Sequence, residues 1–345
     1  MSAGISSAAV KRGILLVNLG SPDSASTGDV RRYLREFLMD PRVLDVPYPL
    51  RLAIVYGCIL PFRPRASAEA YKKIWTEAGS PLIAISARVQ GLLRERTGLP
   101  VELAMRYGKP TIEVALLRLE EGGVGEVVVA PMFPHHAGSS YESAVERVKH
   151  LAAKTAPGLR LSVLAPYYDR PEYIDALVAS AADYLGQEHD HLLFSFHGIP
   201  QRHLRKANPE CGACAGTIGC STADAASRVC YRRHCLETVK RFVAASGVVV
   251  DKVSFAFQSR LGMDAWLEPA THSEIIRLAG RGVRKLTVIC PAFTVDCLET
   301  IEEIGMRARA AFLAAGGEKF TLIPCLNDHP AWVDGLARIA GEYCQ

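Results

Sequence analysis

His197 closes a short apolar run, Leu192-Leu193-Phe194-Ser195-Phe196, and is followed by Gly198-Ile199-Pro200. The run has the length and aromatic content of a buried strand, and Gly and Pro end it. An imidazole at the carboxyl end of a strand in an open α/β sheet stands where ligands bind. With an ordinary pKa of about 6.5, it can exchange protons near neutrality or ligate a metal. A second stretch, Pro291 to Glu303, carries Asp296, Glu299 and Glu303. On an α-helix these positions, i, i+3 and i+7, share one face. Asp296 followed by Glu299 resembles a capping box. A base facing a row of carboxylates makes a path for protons or a metal ion. The plain alternatives are a loop histidine and a capped, solvated helix start.

These residues need a frame to hold them. Apolar strands are predicted at Gly13 to Asn18, Val101 to Arg106, Glu126 to Pro131 and Arg160 to Pro166, with helices between them. A second set follows at Leu192 to Phe196, Val253 to Phe257, Leu286 to Pro291 and Phe320 to Cys325. The strand ends correspond in order: Leu19-Gly20-Ser21-Pro22 with His197-Gly198-Ile199-Pro200, Ala104-Met105-Arg106 with Ala256-Phe257-Gln258, and Ala130-Pro131-Met132-Phe133 with Cys290-Pro291-Ala292-Phe293. Such matches predict a duplicated α/β unit with two parallel sheets and a ligand cleft between the halves. The expected division is 1–166, then 167–325 with a cysteine-rich insertion at about 205–235, then a C-terminal helix over 326–345. Leu19 stands where the second half has His197, so the fold itself does not demand a histidine there.

Composition narrows the class. The chain has 345 residues, 49% of them apolar and 22% charged, with a formal net charge of +4. That length supports two cores, and so small a charge argues against a nucleic-acid partner. The first residues lack the apolar core of a signal peptide, and no apolar run reaches membrane-spanning length. A cytoplasmic protein is expected. Tyr48 to Phe62 is read as a buried helix, with an apolar lip for a membrane surface or a greasy ligand as the alternative. Of His135 and His136, one is expected to line the cleft and the other to reach the surface.

Ten cysteines are many for a chain without an export signal, and five of them form Cys211-x2-Cys214-x5-Cys220-x9-Cys230-x4-Cys235. Free thiols, a zinc site and an iron–sulfur cluster are all compatible with that spacing.

The motifs Leu15-Leu16-Val17-Asn18-Leu19-Gly20-Ser21-Pro22, Ser195-Phe196-His197-Gly198-Ile199-Pro200, Phe257-Gln258-Ser259-Arg260, Trp266-Leu267-Glu268-Pro269 and Asp296-Cys297-Leu298-Glu299-Thr300 resemble those of ferrochelatases, from about Gly13 to Gly335. The resemblance implies a type II chelatase with two flavodoxin-like (Rossmann-like) domains around a porphyrin cleft. It implies insertion of ferrous iron into a porphyrin to make haem. Position by position, His197 matches the essential histidine and Glu299 the catalytic acid, these two also meeting the substrate Fe²⁺. Asp296 and Glu303 match the acidic row that serves as proton or metal path. Arg106, Tyr107, Trp266 and Phe293 are the implied porphyrin contacts, and Arg63 and Arg65 fall near contacts to its carboxylates. Cys297 stands where some members have histidine. The insertion resembles that of bacterial members carrying a [2Fe–2S] cluster, which implies Cys211, Cys214, Cys220 and Cys230 as ligands with Cys235 in reserve. Glu69 to Trp75 resembles members that use protoporphyrin IX. Coproporphyrin III is the alternative substrate. Cobalt or nickel insertion, or storage of finished haem, are alternative functions. Peripheral membrane contact is a further expectation.

Overall fold

Runs of apolar residues separated by amphipathic segments fold into two four-stranded parallel sheets, ordered β2-β1-β3-β4 and β6-β5-β7-β8. A computed structural model describes residues 10–209, 229–260, 262 and 264–344. The first sheet comprises β1 (Arg12–Ser21), β2 (Val101–Gly108), β3 (Glu126–Pro131) and β4 (Arg160–Val163). The second comprises β5 (His191–His197), β6 (Val253–Gln258), β7 (Lys285–Ile289) and β8 (Lys319–Leu322). The two orders are identical, as duplication predicts.

Finer correspondences support it. Met105 N–H donates to the Pro110 carbonyl at 2.7 Å, and Phe257 N–H donates to the Pro269 carbonyl at 2.8 Å. Gly20 and Gly198 occupy equivalent close approaches. A Cβ on Gly20 would lie 1.8 Å from the Tyr107 carbonyl oxygen, and one on Gly198 would lie 2.7 Å from that of Gln258. Only glycine fits either place.

The inner strands β1, β3, β5 and β7 bury both faces and read as near-continuous apolar runs, whereas the edge strands β4 and β8 are partly exposed. Leu15, Val17 and Val129 face helices Ile112–Glu121 and Ser143–Thr155 on one side of the first sheet. Leu193, Ala256 and Val288 pack on the second sheet's counterpart with Ile275 and Phe312. The largest core runs through both halves, joining Leu16 and Met105 to Phe194 and Phe257. Helix Pro171–Leu185 crosses from one half to the other. Helix Pro330–Glu342 returns to pack on it and on helix Pro81–Thr97. The C-terminal helix therefore binds to the first half rather than standing apart. Its Trp332 is wholly buried beside Tyr167 and Tyr173.

Helix Thr27–Leu38 is capped by Ser26, whose hydroxyl accepts from Asp29 N–H. One local expectation is corrected. Tyr48 to Phe62 is not a buried helix. It forms an α-helix, Tyr48–Ala53, that continues as a π-helix, Ile54–Ile59. One stripe is held down: Val55 and Leu60 pack on Leu38, and Arg51 donates to the carbonyls of Met39, Leu44 and Val46. Tyr48, Leu50, Leu52, Tyr56 and Phe62 stay in solvent, Phe62 at 75% exposure. This is the apolar lip. No described helix is long and apolar enough to cross a membrane.

Candidate active site

β5 ends at His197, in register with Gln258 of the neighbouring β6. The imidazole is half-buried, its ring 6.0 Å from that of Phe293 in an edge-on contact. Its Nδ1 lies 2.6 Å from the Gly198 carbonyl oxygen. A carbonyl only accepts, so Nδ1 is the donor in this contact, which leaves Nε2 as the other ring position open to a proton or a metal. The His197 carbonyl accepts from the Tyr231 hydroxyl at 2.7 Å, which holds the turn from behind. Trp266, half-buried, packs over Gly198.

Gln258 ties this strand end to the acids. Its Oε1 accepts from Ser195 Oγ at 2.7 Å, and its Nε2 donates to the Glu299 carbonyl at 2.9 Å. Glu299 opens a ten-residue π-helix, Glu299–Ala308. The α-helical face predicted for Asp296, Glu299 and Glu303 is thereby replaced: Asp296 precedes the helix, and the wider i→i+5 turn spaces the others. π-turns of this kind concentrate at functional sites. The first half has a short one, Gly138–Glu142, at the corresponding place after β3.

The three carboxylates have different partners. Asp296 accepts from the Thr300 hydroxyl at 2.8 Å and from Asn327 Nδ2 at 2.7 Å, so it does not form the expected capping box. Glu303 accepts from Ser259 N–H at 2.8 Å and Ser259 Oγ at 2.6 Å. Glu299, half-buried, takes the Cys297 thiol as donor. Its charge also reaches the phenols of Tyr33 and Tyr71: burial pushes both well above the ordinary tyrosine range, Glu299 adds next for Tyr71, and for Tyr33 it adds after Tyr71. Burial also raises the Cys290, Cys297 and Cys325 thiols, with Asp296 or Glu299 adding to it.

Arg106 and Tyr107 are placed otherwise than the resemblance implies. Tyr107 has no exposed surface. Its hydroxyl donates to Asp40 at 2.9 Å, and Ser143 Oγ donates to the same carboxylate at 2.6 Å. Arg106 pairs with Asp40 and stacks over the Tyr107 ring at 4.4 Å. The pair thus forms a buried polar knot behind the wall rather than its face. The alternation of β2 and the distant Asp40 decide this, and neither is apparent from the motif. Arg63 and Arg65 are exposed at the start of helix Arg63–Ile74.

His135 and His136 are both buried against helix Tyr231–Ser246, so neither reaches the surface. Burial, and then His234, lower the basicity of His135 well below the ordinary value. Of the five clustered cysteines, Cys211, Cys214 and Cys220 lie outside the described residues. Cys230 is buried at the cap of helix Tyr231–Ser246. Burial, outweighing the Tyr231 hydrogen bond, raises the Cys235 thiol well above the usual range.

The ferrochelatase family model matches residues 11–343. A relative named ferrochelatase from Ectopseudomonas mendocina is 50% identical over 325 residues, covering 94% of this chain and 95% of its own. Another of that name from Azotobacter vinelandii is 50% identical over 330 residues, covering 94% and 97%. Among solved structures, SirB from Bacillus subtilis with Fe³⁺ aligns with a TM-score of 0.54 at 14% identity, over 96% of this chain and 95% of that one. At such identity the likeness is one of fold.

The Asp40 knot yields a pH prediction. Burial raises its pKa, but Ser143, Arg42 N–H and Arg106 outweigh it and hold the carboxyl below its ordinary range. A depressed carboxylate stabilises the fold above its unfolded pKa of about 3.9, and that contribution is lost as pH falls through the lower folded value. Asp40→Asn is expected to cost about 3 kcal/mol at neutral pH. In urea unfolding, the gap to the parent protein stays constant from about pH 8 to 5 and closes below about pH 4.

Proposed function

The chain belongs to the ferrochelatase family, and on that premise we propose that it inserts ferrous iron into protoporphyrin IX to give protohaem, with His197 as proton acceptor and Glu299 as its partner. The observation that carries these roles is the contact of His197 Nδ1 with the Gly198 carbonyl, which commits that nitrogen as donor and leaves Nε2 for the exchange of protons. Insertion replaces the two pyrrole N–H protons with one Fe²⁺, so two protons must leave the macrocycle. Nε2 takes a proton from a pyrrole nitrogen and passes it toward the Glu299 carboxylate, regenerating the base for the second. Iron is the substrate in this scheme, and a carboxylate is a suitable oxygen donor for its entry. Phe293 and Trp266 supply apolar surface against which a bent macrocycle exposes its nitrogen lone pairs. Arg63 and Arg65 suit the propionate carboxylates. Arg106 and Tyr107 serve the porphyrin from behind, by holding the wall.

Two further roles belong to the same reading. The apolar lip from Tyr48 to Phe62 rests on a cytoplasmic membrane surface, from which a greasy porphyrin can be received; its five exposed large side chains support this. The cysteine-rich segment holds a [2Fe–2S] cluster through Cys211, Cys214, Cys220 and Cys230. Cluster ligands must be thiolates, and Cys230 stands nearer in sequence to the other three than Cys235 does, which supports it as the fourth. The bound cluster would supply one-electron chemistry, which metal insertion at constant oxidation state does not use.

His197→Ala is expected to lower anaerobic kcat by about 10²- to 10⁴-fold, followed by the Soret and Q bands with protoporphyrin IX and Fe²⁺, while porphyrin still binds. Retained turnover removes His197 from the mechanism, and faster turnover of coproporphyrin III reassigns the substrate. Visible absorption of the purified protein should vanish in Cys230→Ser and persist in Cys235→Ser; the reverse pattern exchanges the two. Replacing Tyr48 and Phe62 together by serine should weaken sedimentation with anionic lipid vesicles by about tenfold or more, and unchanged binding rules out the lip as the contact.

A further inference from the structure

Among the described residues, two that are not glycine adopt a left-handed backbone: Ser259, with φ 67°, and Asn327, with φ 48°. They lie far apart in sequence, one just after β6 and the other after β8. β6 and β8 are the two outer strands of the second sheet, so these residues flank its carboxyl edge from opposite sides. Each grips a carboxylate of the acidic row. Ser259 presents both its N–H and its Oγ to Glu303. Asn327 donates Nδ2 to Asp296 Oδ2 and accepts the Asp296 N–H on Oδ1 at 2.9 Å, while its own N–H is fixed to the Thr294 carbonyl at 2.8 Å.

A left-handed backbone is costly for serine and mild for asparagine, and it persists only where the surroundings enforce it. Here it turns each residue's donors toward one acid. The acid between them, Glu299, has its backbone carbonyl pinned by Gln258 and, among the described residues, only a thiol, a weak donor, on its carboxylate.

We propose that Ser259 and Asn327 are positioning residues for Glu299: by clamping Glu303 and Asp296 they fix the first turn of the π-helix and leave Glu299 as the one carboxylate of the row available to the porphyrin. This rests on the reading that Glu299 acts in the reaction. Asp296 and Glu303 are then struts of the site, and the path predicted through them narrows to Glu299.

Glycine keeps the left-handed backbone: Ser259→Gly removes the Oγ contact to Glu303 and leaves the N–H, whereas Asn327→Gly removes both side-chain contacts to Asp296. Ser259→Gly and Asn327→Gly, in the full chain, are therefore compared with Glu299→Gln for kcat, for KM with protoporphyrin IX and with Fe²⁺, and for thermal midpoint. Asn327→Ser, which keeps a short polar side chain, serves as a second variant should either glycine form not fold. Each clamp variant is expected to lose on the order of ten- to a hundredfold in kcat, with both KM values within about twofold of the parent. Unchanged kcat in the clamp variants, or a rise in KM at unchanged kcat, overturns the inference. If Glu299→Gln keeps the parent kcat, the underlying reading fails instead, and the two failures are separable. If Glu299→Gln is inactive while the clamp variants turn over normally, the reading stands and the clamp does not.

Discussion

The contact between Gly198 and the Gln258 carbonyl sets the geometry on which the site depends. Gly198 N–H donates to that carbonyl at 2.7 Å, in a space that admits no Cβ. The turn after β5 is thereby pressed against the end of β6, and the His197 imidazole has one place to go. The same Gln258 uses its side chain to hold the Glu299 carbonyl. A single residue thus relates the base to the acid through backbone and side chain together. Its burial excludes water that would compete for these bonds.

The two halves share a frame and differ in what they place on it. Each pushes a glycine turn against the outer strand beside its first strand, and each follows its third strand with a π-turn. In the first half the residues at these ends, Arg106 and Tyr107, turn inward to neutralise Asp40. In the second half the counterpart of Arg106 is Gln258, an uncharged residue that can donate and accept at once. Symmetry of backbone with asymmetry of side chains is what a duplicated fold needs in order to make a wall on one side and chemistry on the other.

The inner strands were legible because both their faces are buried, which turns each into a near-continuous apolar run. His197 was legible for the same reason: it is the first polar residue after such a run. The arrangement of the acids was not. A spacing of i, i+3, i+7 presumes α-helical turns, and nothing in local composition distinguishes a π-helix from an α-helix over Glu299–Ala308. Asn327, which holds Asp296, and Ser259, which holds Glu303, lie 31 and 44 residues away, beyond the reach of periodicity. The inward turn of Tyr107 depends on Asp40, 67 residues distant. The lip between Tyr48 and Phe62 was half legible: its apolarity is plain, but the partial burial that leaves five side chains in solvent follows from Arg51 satisfying three carbonyls beneath.

Helix Pro330–Glu342 seals the core beside helices Pro81–Thr97 and Pro171–Leu185 with the wholly buried Trp332. A chain is synthesised from its N-terminus, so both sheets exist before this helix does. Until it arrives, Tyr167 and Tyr173 lack the indole that covers them. The nascent chain must carry that apolar seam open through most of its synthesis, and the first half completes its native packing only after the second has been made. Duplicated though it is, the protein matures as one cooperative unit, with an interval of aggregation risk set by translation rather than by the stability of either half.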